Sequence, residues 1–483
     1  METQLLIDNE RVSAESGATF DRVAPTSGQT VTRSAAAGVK DSIAAVESAH
    51  RAFQSWSKTG PGERRALLLK AADEIDARVG DFIAAMQAEV GANELWAGFN
   101  VMLASNLFRE AAGLATQIQG ETIPTDKPGT LSMTVRQPVG VILSIVPWNG
   151  PVVLAARAIA YPLVCGNTVV FRASETSPRT HELMAEAVAA AGFPAGVLNF
   201  ITHDLSTAPE AVETLIAHPA VRRINFTGST AVGRIIGEKA GKHLKRCILE
   251  LGDKSPLVVL DDANVDDAVN AGVFGAFLYQ GQICMTTERI IVDDAIADEY
   301  VQKFAERAKT LPLGDPAAQS ACVLGPVISL NAADRLKALL DDAVSKGARI
   351  VAGGPGDGAM MPATVLDGVT PDMRIYGEET FGPIVSIIRA KDTEDAVRIA
   401  NDTEFGLSAG VFGRDVTRAI DVAQRIDTGS VHINGSTVAN EAQAPYGGTK
   451  SSGFGRFDGR AVVDEFTELK WITIEQSGQQ YPF

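Results

Sequence analysis

The sequence predicts an α/β protein whose centre is a parallel sheet covered by helices. From Val139 onward, short apolar runs such as "VGVILSIVP", "NTVVFRAS" and "VRRINFTGS" alternate with segments of helical periodicity. These runs carry no polar face, which is typical of strands that are buried on both sides of a parallel sheet. Ligands bind such sheets at the carboxyl ends of the strands, so we expect the functional site there.

The chain is predicted to open with two amphipathic helices. In "DSIAAVESAHRAFQSWSK" the residues Val46, Phe53 and Trp56 fall on one helical face, and "ERRALLLKAADEIDARVGDFIAAMQAEVG" repeats the pattern. The alternating stretch "GTLSMTVRQPVG" predicts a strand after these helices.

A second α/β block is predicted after Asp262, with no linker, repeat or low-complexity segment before it. Its predicted helices cover about Val265–Tyr279, Ala295–Thr310 and Asn331–Lys346. Its predicted strands lie near Arg289–Val292, Pro383–Arg389 and Ser430–Ile433. The tail "VVDEFTELKWITIEQ" predicts one more strand.

Composition narrows the class of protein. The 483 residues are enough for about three domains, and the formal net charge of −16 argues against a nucleic-acid or anionic-membrane partner. The N-terminus lacks the basic and apolar regions of a signal peptide, and the longest apolar run is too short to span a bilayer. Four cysteines lie far apart without a C-x-x-C pair. We therefore expect a cytoplasmic protein with reduced thiols and a small-molecule substrate.

Cys284 is the first candidate for a catalytic residue. It follows a long apolar helix in "FLYQGQICMTTERIIV", beside Gly281, where backbone N–H groups can lower the pKa of a thiol. The alternative is a small buried hydrophobe, which is the commoner fate of a free cysteine. Cys165 and Cys247 are interpreted in that second way, and Cys322 is left unassigned.

Three further candidates stand at the ends of apolar runs. Glu250 closes the run in "RCILELGDKSP", and is either a surface charge or a partly desolvated general base. Asn149 in "IVPWNGP" is either a turn residue or an amide donor for an oxyanion. Gly228 and Ser229 precede a helix in "INFTGSTAVGR", which is an arrangement that binds anions but is also common without a ligand.

Other chemistries have weaker support in the sequence. "GLSAG" matches a nucleophile elbow around Ser408, but "NDTEF" before it is not a buried strand, so a serine hydrolase is the distant alternative. The six histidines show no ligand spacing, and we expect no metal. No G-x-G-x-x-G or phosphate-binding G-x-x-x-x-G-K-[ST] motif is present.

Six motifs occur together in a familiar order. "IVPWN", "FTGSTAVG", "ELGDKSP", "FLYQGQIC", "EETFGPI" and "PYGGTKSSGFGR" resemble those of the NAD(P)-dependent aldehyde dehydrogenase superfamily, over nearly the whole chain. The resemblance implies a Rossmann-like cofactor domain, a second α/β catalytic domain and a small β oligomerisation element. The corresponding ranges are 1–121 with 139–251, 252–462, and 122–138 with 463–483. A homodimer or homotetramer is implied.

The resemblance also implies a mechanism. Cys284 attacks the aldehyde as a thiolate, and Asn149 with the Cys284 backbone N–H holds the oxyanion. Glu250 then activates the water that hydrolyses the thioester. A non-catalytic relative is disfavoured, because such a copy has no reason to keep all three residues.

The cofactor residues are likewise implied by the resemblance. They are Ile145, Pro147, Trp148, Arg172, Glu175, Gly228, Ser229, Gly233, Leu251, Glu379 and Phe381. Glu175 would repel a 2′-phosphate, which favours NAD over NADP. Three positions depart from the family pattern, namely Arg172 for lysine, Asp253 for glycine, and His203 beside the adenine edge.

The substrate side departs most informatively. Gly150 and Arg157 replace two aromatic residues of the family, seven positions apart on one helical face. A wider channel with a cation suits a flat aromatic aldehyde that carries a phenolic oxygen or carboxylate, with Trp96 and Tyr446 as apolar walls. This pattern resembles the aromatic-aldehyde branch, which includes salicylaldehyde and vanillin dehydrogenases. The alternatives are aliphatic or semialdehyde substrates, and an Arg157 that merely pairs with an acidic neighbour.

Overall fold

The computed structural model describes residues 1–318 and 321–483. The helices are α1 Val39–Trp56, α2 Pro61–Ala77, α3 Val79–Val90, α4 Glu94–Leu114, α5 Pro151–Val164, α6 Pro178–Ala190, α7 Ala208–Ala217, α8 Thr230–Lys242, α9 Val265–Phe277, α10 Ala297–Lys309, α11 Leu330–Ser345, α12 Arg374–Gly377, α13 Thr393–Asn401, α14 Val416–Arg425 and α15 Val462–Phe466. The strands are β1 Glu2–Thr3, β2 Leu5–Ile7, β3 Glu10–Val12, β4 Thr19–Val23, β5 Thr30–Ala35, β6 Leu131–Pro138, β7 Val141–Ile145, β8 Thr168–Arg172, β9 Leu198–Ile201, β10 Val221–Thr227, β11 Arg246–Glu250, β12 Pro256–Val259, β13 Arg289–Asp293, β14 Arg349–Ala352, β15 Thr364–Asp367, β16 Ile384–Ala390, β17 Ser408–Phe412, β18 Ser430–Ile433, β19 Gly453–Phe454 and β20 Thr467–Ile474.

The first sheet has eight strands in the order β19-β11-β10-β7-β8-β9-β2-β3. Its centre, β11 to β9, is parallel, as the apolar runs predict. The register places Ile145 of β7 opposite Phe226 of β10, and Thr227 opposite Glu250 of β11. The carboxyl ends of these three strands therefore meet at one edge of the sheet.

The second sheet has seven strands in the order β14-β15-β16-β13-β12-β17-β18, all parallel except for β14. The helices and strands predicted for this block lie within two residues of the observed bounds. Their apolar runs are long, which explains the agreement.

The prediction that the chain begins with two helices is wrong. Strands β1 to β5 precede the first helix, and β1, β5 and β4 form a separate three-stranded sheet. These strands have two to six residues, too few to show a period. The second predicted helix is also two helices, α2 and α3, because Arg78 leaves the helical conformation between them at φ −105° and ψ 16°.

Strands β6 and β20 form a two-stranded antiparallel ribbon apart from both large sheets. Its exposed apolar side chains include Leu131, Leu469, Trp471 and Ile474. The predicted limit at 251/252 falls between β11 and β12, which belong to different sheets, whereas β19 joins the first sheet from within the range 252–462. The domain limits themselves stay a prediction.

Helix α5 is buried along its whole length between α4 and the first sheet. It begins at Pro151, directly after the loop that leaves β7, so the helix start is fixed by the strand end. In the part of the chain that the structure describes, no helix is long and apolar enough to cross a membrane.

Candidate active site

The site is built where β7, β10 and β11 end. Asn149 lies four residues beyond Ile145, the last residue of β7, while Gly228 follows β10 directly and Glu250 is the last residue of β11. Because the strands are parallel and in register, these three residues share one edge of the sheet. The structure thus places these three predicted site residues at one edge, while their roles stay a prediction.

Cys284 is carried by a tightly held loop between α9 and β13. Tyr279 and Gln280 adopt left-handed backbone conformations, with φ of 49° and 55°. The Tyr279 hydroxyl donates to the Val90 carbonyl at 3.1 Å. A Cβ at Gly281 would lie 2.3 Å from the Gly382 carbonyl oxygen, so only glycine fits there. The loop can therefore hold the thiol in one place.

Two cavities meet at Cys284 and Asn149. The first, called the apolar cavity below, has a volume of about 350 Å³ and mostly apolar walls. The second, called the polar cavity because Glu250, Arg335 and Glu379 line it, has a volume of about 370 Å³ and reaches the ends of the parallel strands. Both are lined by Cys284 and Asn149, but only the second is lined by Glu250. A substrate on the apolar side and a second molecule on the polar side would meet at the sulfur.

Asn149 is fixed from both ends. Its side-chain N–H donates to the Gln282 carbonyl at 3.1 Å, which ties it to the Cys284 loop. Its own carbonyl accepts from the Trp96 indole N–H at 3.0 Å. The side-chain amide carries a second hydrogen and lies at the junction of the cavities, as an oxyanion donor must.

Glu250 is a buried carboxylate without a partner. Its side chain belongs to a residue that is 3% exposed, and neither oxygen has a hydrogen-bond partner among the described residues. Burial raises the pKa of Glu250 to about 8, and the nearby Arg157 and Arg456 only partly oppose this effect. Such a group can accept a proton near neutral pH.

The surroundings of the Cys284 sulfur disfavour its ionisation. Burial is the main cause that raises its pKa to about 12, and the carboxylates of Glu250 and Glu379 add to the effect. The Tyr446 hydroxyl, 3.0 Å from the sulfur, and the Arg157 charge work in the opposite direction. Ionisation of the thiol thus depends on the groups around it.

The polar cavity has the features of a dinucleotide site. Gly228 and the N-cap residue Ser229 open the 13-residue helix α8, whose backbone N–H groups attract phosphate. The predicted cofactor residues that line this cavity are Pro147, Trp148, Gly228, Ser229, Leu251, Glu379 and Phe381. These residues fit the group that the sequence implies, since they combine the N-terminus of a helix with a cavity of about 370 Å³ that Cys284 also lines.

Glu379 and Phe381 are presented by a braced loop. The Glu288 carboxylate accepts from the backbone N–H groups of Thr380 and Phe381 at 2.8 and 2.9 Å. Phe381 has a φ of 48° and meets the edge of Trp148 at 5.8 Å between ring centroids. The backbone of this loop is thereby fixed, and Glu379 and Phe381 line the same cavity as Cys284.

Four predicted cofactor residues lie outside the lining of this cavity. Ile145 is buried in β7, and Gly233 packs against Leu251, where a Cβ would come within 2.3 Å of the leucine side chain. Arg172 at the end of β8 pairs with Glu175 at 3.1 Å. Beyond them, His203 is buried and contacts the Ser42 hydroxyl at 2.9 Å.

Asp253, which replaces a glycine of the family motif, has a structural role. Its carboxylate accepts from the backbone N–H groups of Leu407 and Ser408, each at 3.1 Å, and from the Ser452 hydroxyl at 3.2 Å. It therefore fastens the start of β17 to the connection between the two large sheets.

The apolar cavity contains the predicted substrate residues. Its walls are mostly apolar and aromatic and come from α4, α5, α9, the Cys284 loop and residues 438–446. Trp96 stacks on Phe99 and Tyr279, with ring centroids 5.7 and 5.3 Å apart. The absence of a side chain at Gly150 keeps this wall uncrowded, since even a Cβ at this position would lie 3.1 Å from the Val153 side chain.

Arg157 lines this cavity, but the fixed cation that the sequence predicted for the substrate is bound to an acidic side chain instead. Its guanidinium binds Asp458 in a bidentate buried pair, with Nε–Oδ1 and Nη2–Oδ2 distances of 3.1 and 2.7 Å. It also donates to Asn440 at 3.1 Å and lies 4.2 Å from the centre of the Tyr446 ring. The alternative of a pair with an acidic neighbour therefore describes its contacts.

The sequence alone did not identify Asp458 and Asn440 as partners of Arg157. Both lie in loops roughly 300 residues after Arg157, and neither position shows a periodic pattern. The one available signal was Asp458 within "GFGRFDGR", immediately after the last family-like motif.

The alternative nucleophile and metal chemistry find no support. Ser408 begins the buried strand β17, and its hydroxyl donates to the Thr437 carbonyl at 2.6 Å. A strand residue of this kind is not a nucleophile elbow. Within residues 1–318 and 321–483, no group of three or more His, Cys, Asp or Glu side chains could hold a metal ion.

Comparison with known proteins gives consistent matches over the whole chain. A family model described as the aldehyde dehydrogenase family matches residues 12–472. The chain is 62% identical to a salicylaldehyde dehydrogenase of Pseudomonas putida and 52% identical to a vanillin dehydrogenase of Pseudomonas fluorescens, with full coverage of each. A crystal structure of a salicylaldehyde dehydrogenase from Pseudomonas putida G7, complexed with salicylaldehyde, superposes with a TM-score of 0.99 at 60% identity over the full length of both chains.

Proposed function

The chain belongs to the aldehyde dehydrogenase family, and on this premise we propose that it oxidises hydroxylated aromatic aldehydes, with salicylaldehyde as the leading candidate, to carboxylic acids with NAD. The family resemblance stated from the motifs is thus confirmed. The observation that carries the substrate proposal is the apolar cavity with aromatic walls, which opens on Cys284.

The shape and charge of this cavity favour an aromatic ring. Trp96 and Tyr446 offer flat surfaces, and Gly150 leaves room beside the thiol. The charged side chains in its described lining are Arg157, which is bound to Asp458, and the exposed Glu441. A neutral ring is therefore favoured over an aldehyde that carries a carboxylate. This weighs against the semialdehyde alternative.

The residues of the site divide the reaction between them. The Cys284 thiolate forms a bond to the aldehyde carbon while the carbonyl electron pair moves to oxygen, and the Asn149 amide and the Cys284 backbone N–H donate hydrogen bonds to the resulting oxyanion. NAD, when bound, supplies the acceptor for the hydride that leaves this carbon. Cys284 then carries a thioester. Glu250 takes a proton from water, whose oxygen attacks the thioester carbon and displaces the thiolate.

NAD is proposed over NADP because of the charge at the end of β8. The family uses NAD(P). Here the Glu175 carboxylate binds Arg172 at 3.1 Å, so the arginine is partly neutralised and a carboxylate remains near the adenosine end. A 2′-phosphate would meet that negative charge.

A homo-oligomer is proposed from the ribbon of β6 and β20. A two-stranded ribbon is marginal alone, and its exposed Trp471, Leu469 and Ile474 are apolar. Its open edge suits addition to the sheet of a second copy, in a dimer or a dimer of dimers. The cytoplasmic location expected from composition stays a prediction.

The test is a comparison of kcat/KM for NADH formation with salicylaldehyde, vanillin, benzaldehyde, a straight-chain aldehyde and succinic semialdehyde. The proposal expects the ring-hydroxylated aldehydes to be the best substrates and the semialdehyde to be the worst. If the straight-chain aldehyde is best, the aromatic proposal fails while the enzyme class stands.

A further inference from the structure

A continuous set of contacts leads from the nucleophile to a buried ion pair. The Cys284 sulfur lies 3.0 Å from the Tyr446 hydroxyl oxygen. Behind the Tyr446 ring, the Arg157 guanidinium carbon lies 4.2 Å from the ring centre. Asp458 then holds Arg157 through two hydrogen bonds of 3.1 and 2.7 Å. These four residues are joined without a gap.

The backbone fixes the same arrangement. Tyr446 and Phe457 exchange two backbone hydrogen bonds, of 2.9 and 2.7 Å, which places Tyr446 beside the segment that carries Asp458. Asn440 braces the ion pair, since it accepts from Arg157 at 3.1 Å and donates to Asp458 at 3.4 Å. The ring of Tyr446 is therefore held between the thiol and the ion pair.

We infer that Tyr446 donates a hydrogen bond to the Cys284 thiolate, and that the Arg157–Asp458 pair is a positioning device that holds Tyr446 for this task. Tyr446 acts on the reacting atom, whereas Arg157 and Asp458 act through Tyr446. This role rests on the proposed aldehyde oxidation, because that reaction needs the thiolate as its nucleophile.

The charges around the sulfur explain why such a donor is needed. Burial and the carboxylates of Glu250 and Glu379 all disfavour a negative sulfur. The groups that favour it are Tyr446 and Arg157. A thiolate can only accept, so the tyrosine must be the donor once the proton has left the sulfur for water. A cation on the ring face attracts the π electrons and restrains the ring.

The first test measures the thiol without any aldehyde or NAD. The rate at which iodoacetamide alkylates Cys284 is followed against pH by peptide mass spectrometry, in the wild type and in Tyr446→Phe. The sulfur displaces iodide only as the thiolate. Loss of one hydrogen bond to a charged atom predicts alkylation slower by roughly ten- to a hundredfold at pH values below the thiol pKa, with the midpoint shifted upward.

Tyr300→Phe is the matched control. Tyr300 is also fully buried, but its hydroxyl donates to the Ala268 carbonyl at 3.4 Å, and the residue lines neither cavity. It should alkylate like the wild type. Equal alkylation rates in Tyr446→Phe and the wild type would overturn the inference. The proposed substrate is not involved in this readout, so a failed aldehyde panel and a failed alkylation test are distinguishable.

The second test separates positioning from simple stability. Asp458→Asn should slow alkylation and lower kcat with little change in KM for the aldehyde, and Asp458→Glu should restore part of the rate. If Asp458→Asn does not fold, Asn440→Ala takes its place, because it removes the brace without leaving a charge unpaired. A folded variant with a lower melting temperature but an unchanged alkylation profile would reduce the pair to a structural role.

Discussion

Replacement of Glu250 by glutamine should stop the reaction halfway. The amide keeps the shape of the carboxylate but cannot accept a proton from water. Since Glu250 lines the polar cavity and not the substrate cavity, aldehyde binding and attack by Cys284 should persist. We expect one NADH per active site in a rapid burst, followed by turnover that is slower by a factor of about 10² to 10⁴.

The wild-type pH dependence of thioester hydrolysis gives a second magnitude. Burial raises the pKa of Glu250 to about 8, so below that pH the basic form becomes scarcer by about tenfold for each pH unit. The sign follows from the charge, because the base is the ionised form and is lost as pH falls. When hydrolysis limits kcat, the rate should therefore fall by about tenfold between pH 7 and pH 6.

The assay is rapid mixing of enzyme, NAD and salicylaldehyde, with NADH absorbance recorded through the burst and the steady state. Glu404→Gln is the control, since it removes an exposed carboxylate that pairs with Arg234. Acid-quenched Glu250→Gln should carry the acyl group on the peptide that contains Cys284. A variant with no burst, or a wild-type hydrolysis rate that does not change between pH 6 and pH 8, would refute the assignment.

Three further outcomes are expected. Arg157→Met should destabilise the fold by about 3–5 kcal/mol in urea unfolding, and a second change, Asp458→Leu, should recover much of the loss; equal stability of Arg157→Met and the wild type would contradict the buried pair. Gly150→Val should lower kcat/KM for benzaldehyde by roughly tenfold or more but spare propanal, because it narrows the cavity beside Val153; equal losses would contradict this reasoning. Glu175→Ser should raise kcat/KM for NADP by about tenfold and leave NAD within a few-fold, and an unchanged NADP rate would show that Glu175 does not set the preference.

The sequence singled out the candidate catalytic residues because each stands at a strand end or in an aperiodic loop. Glu250 and Asn149 close apolar runs, and the parallel register then brings them together. Cys284 stood out because its surroundings have no helical or strand period, in contrast to Cys165 within α5's capping turn. Local pattern was sufficient for these residues because the sheet supplies the rest of the geometry.

The sequence could not predict contacts that depend on distant loops. The spacing predicted one helical face for Gly150 and Arg157; Gly150 is in fact the N-cap residue just before α5, although both residues line the apolar cavity. The partner of Arg157 lies 301 residues away. Asp253 likewise works through Leu407 and Ser408, more than 150 residues later. Such distant partners leave no periodic signal, so the sequence alone cannot distinguish an arginine that is paired with a carboxylate from one that is unpaired.

The locked position of Arg157 connects substrate preference with thiol chemistry. An arginine free in the access channel would select aldehydes with an anionic group and would move with them. Asp458 holds Arg157 behind the Tyr446 ring, so that ring forms an aromatic wall toward the substrate. The Arg157 charge also stays near the Cys284 sulfur, where it favours the thiolate that Glu250 and Glu379 disfavour. A variant that frees Arg157 should therefore change both properties together: anionic aldehydes should gain in kcat/KM while Cys284 alkylation slows. If one changes without the other, the two roles are separate.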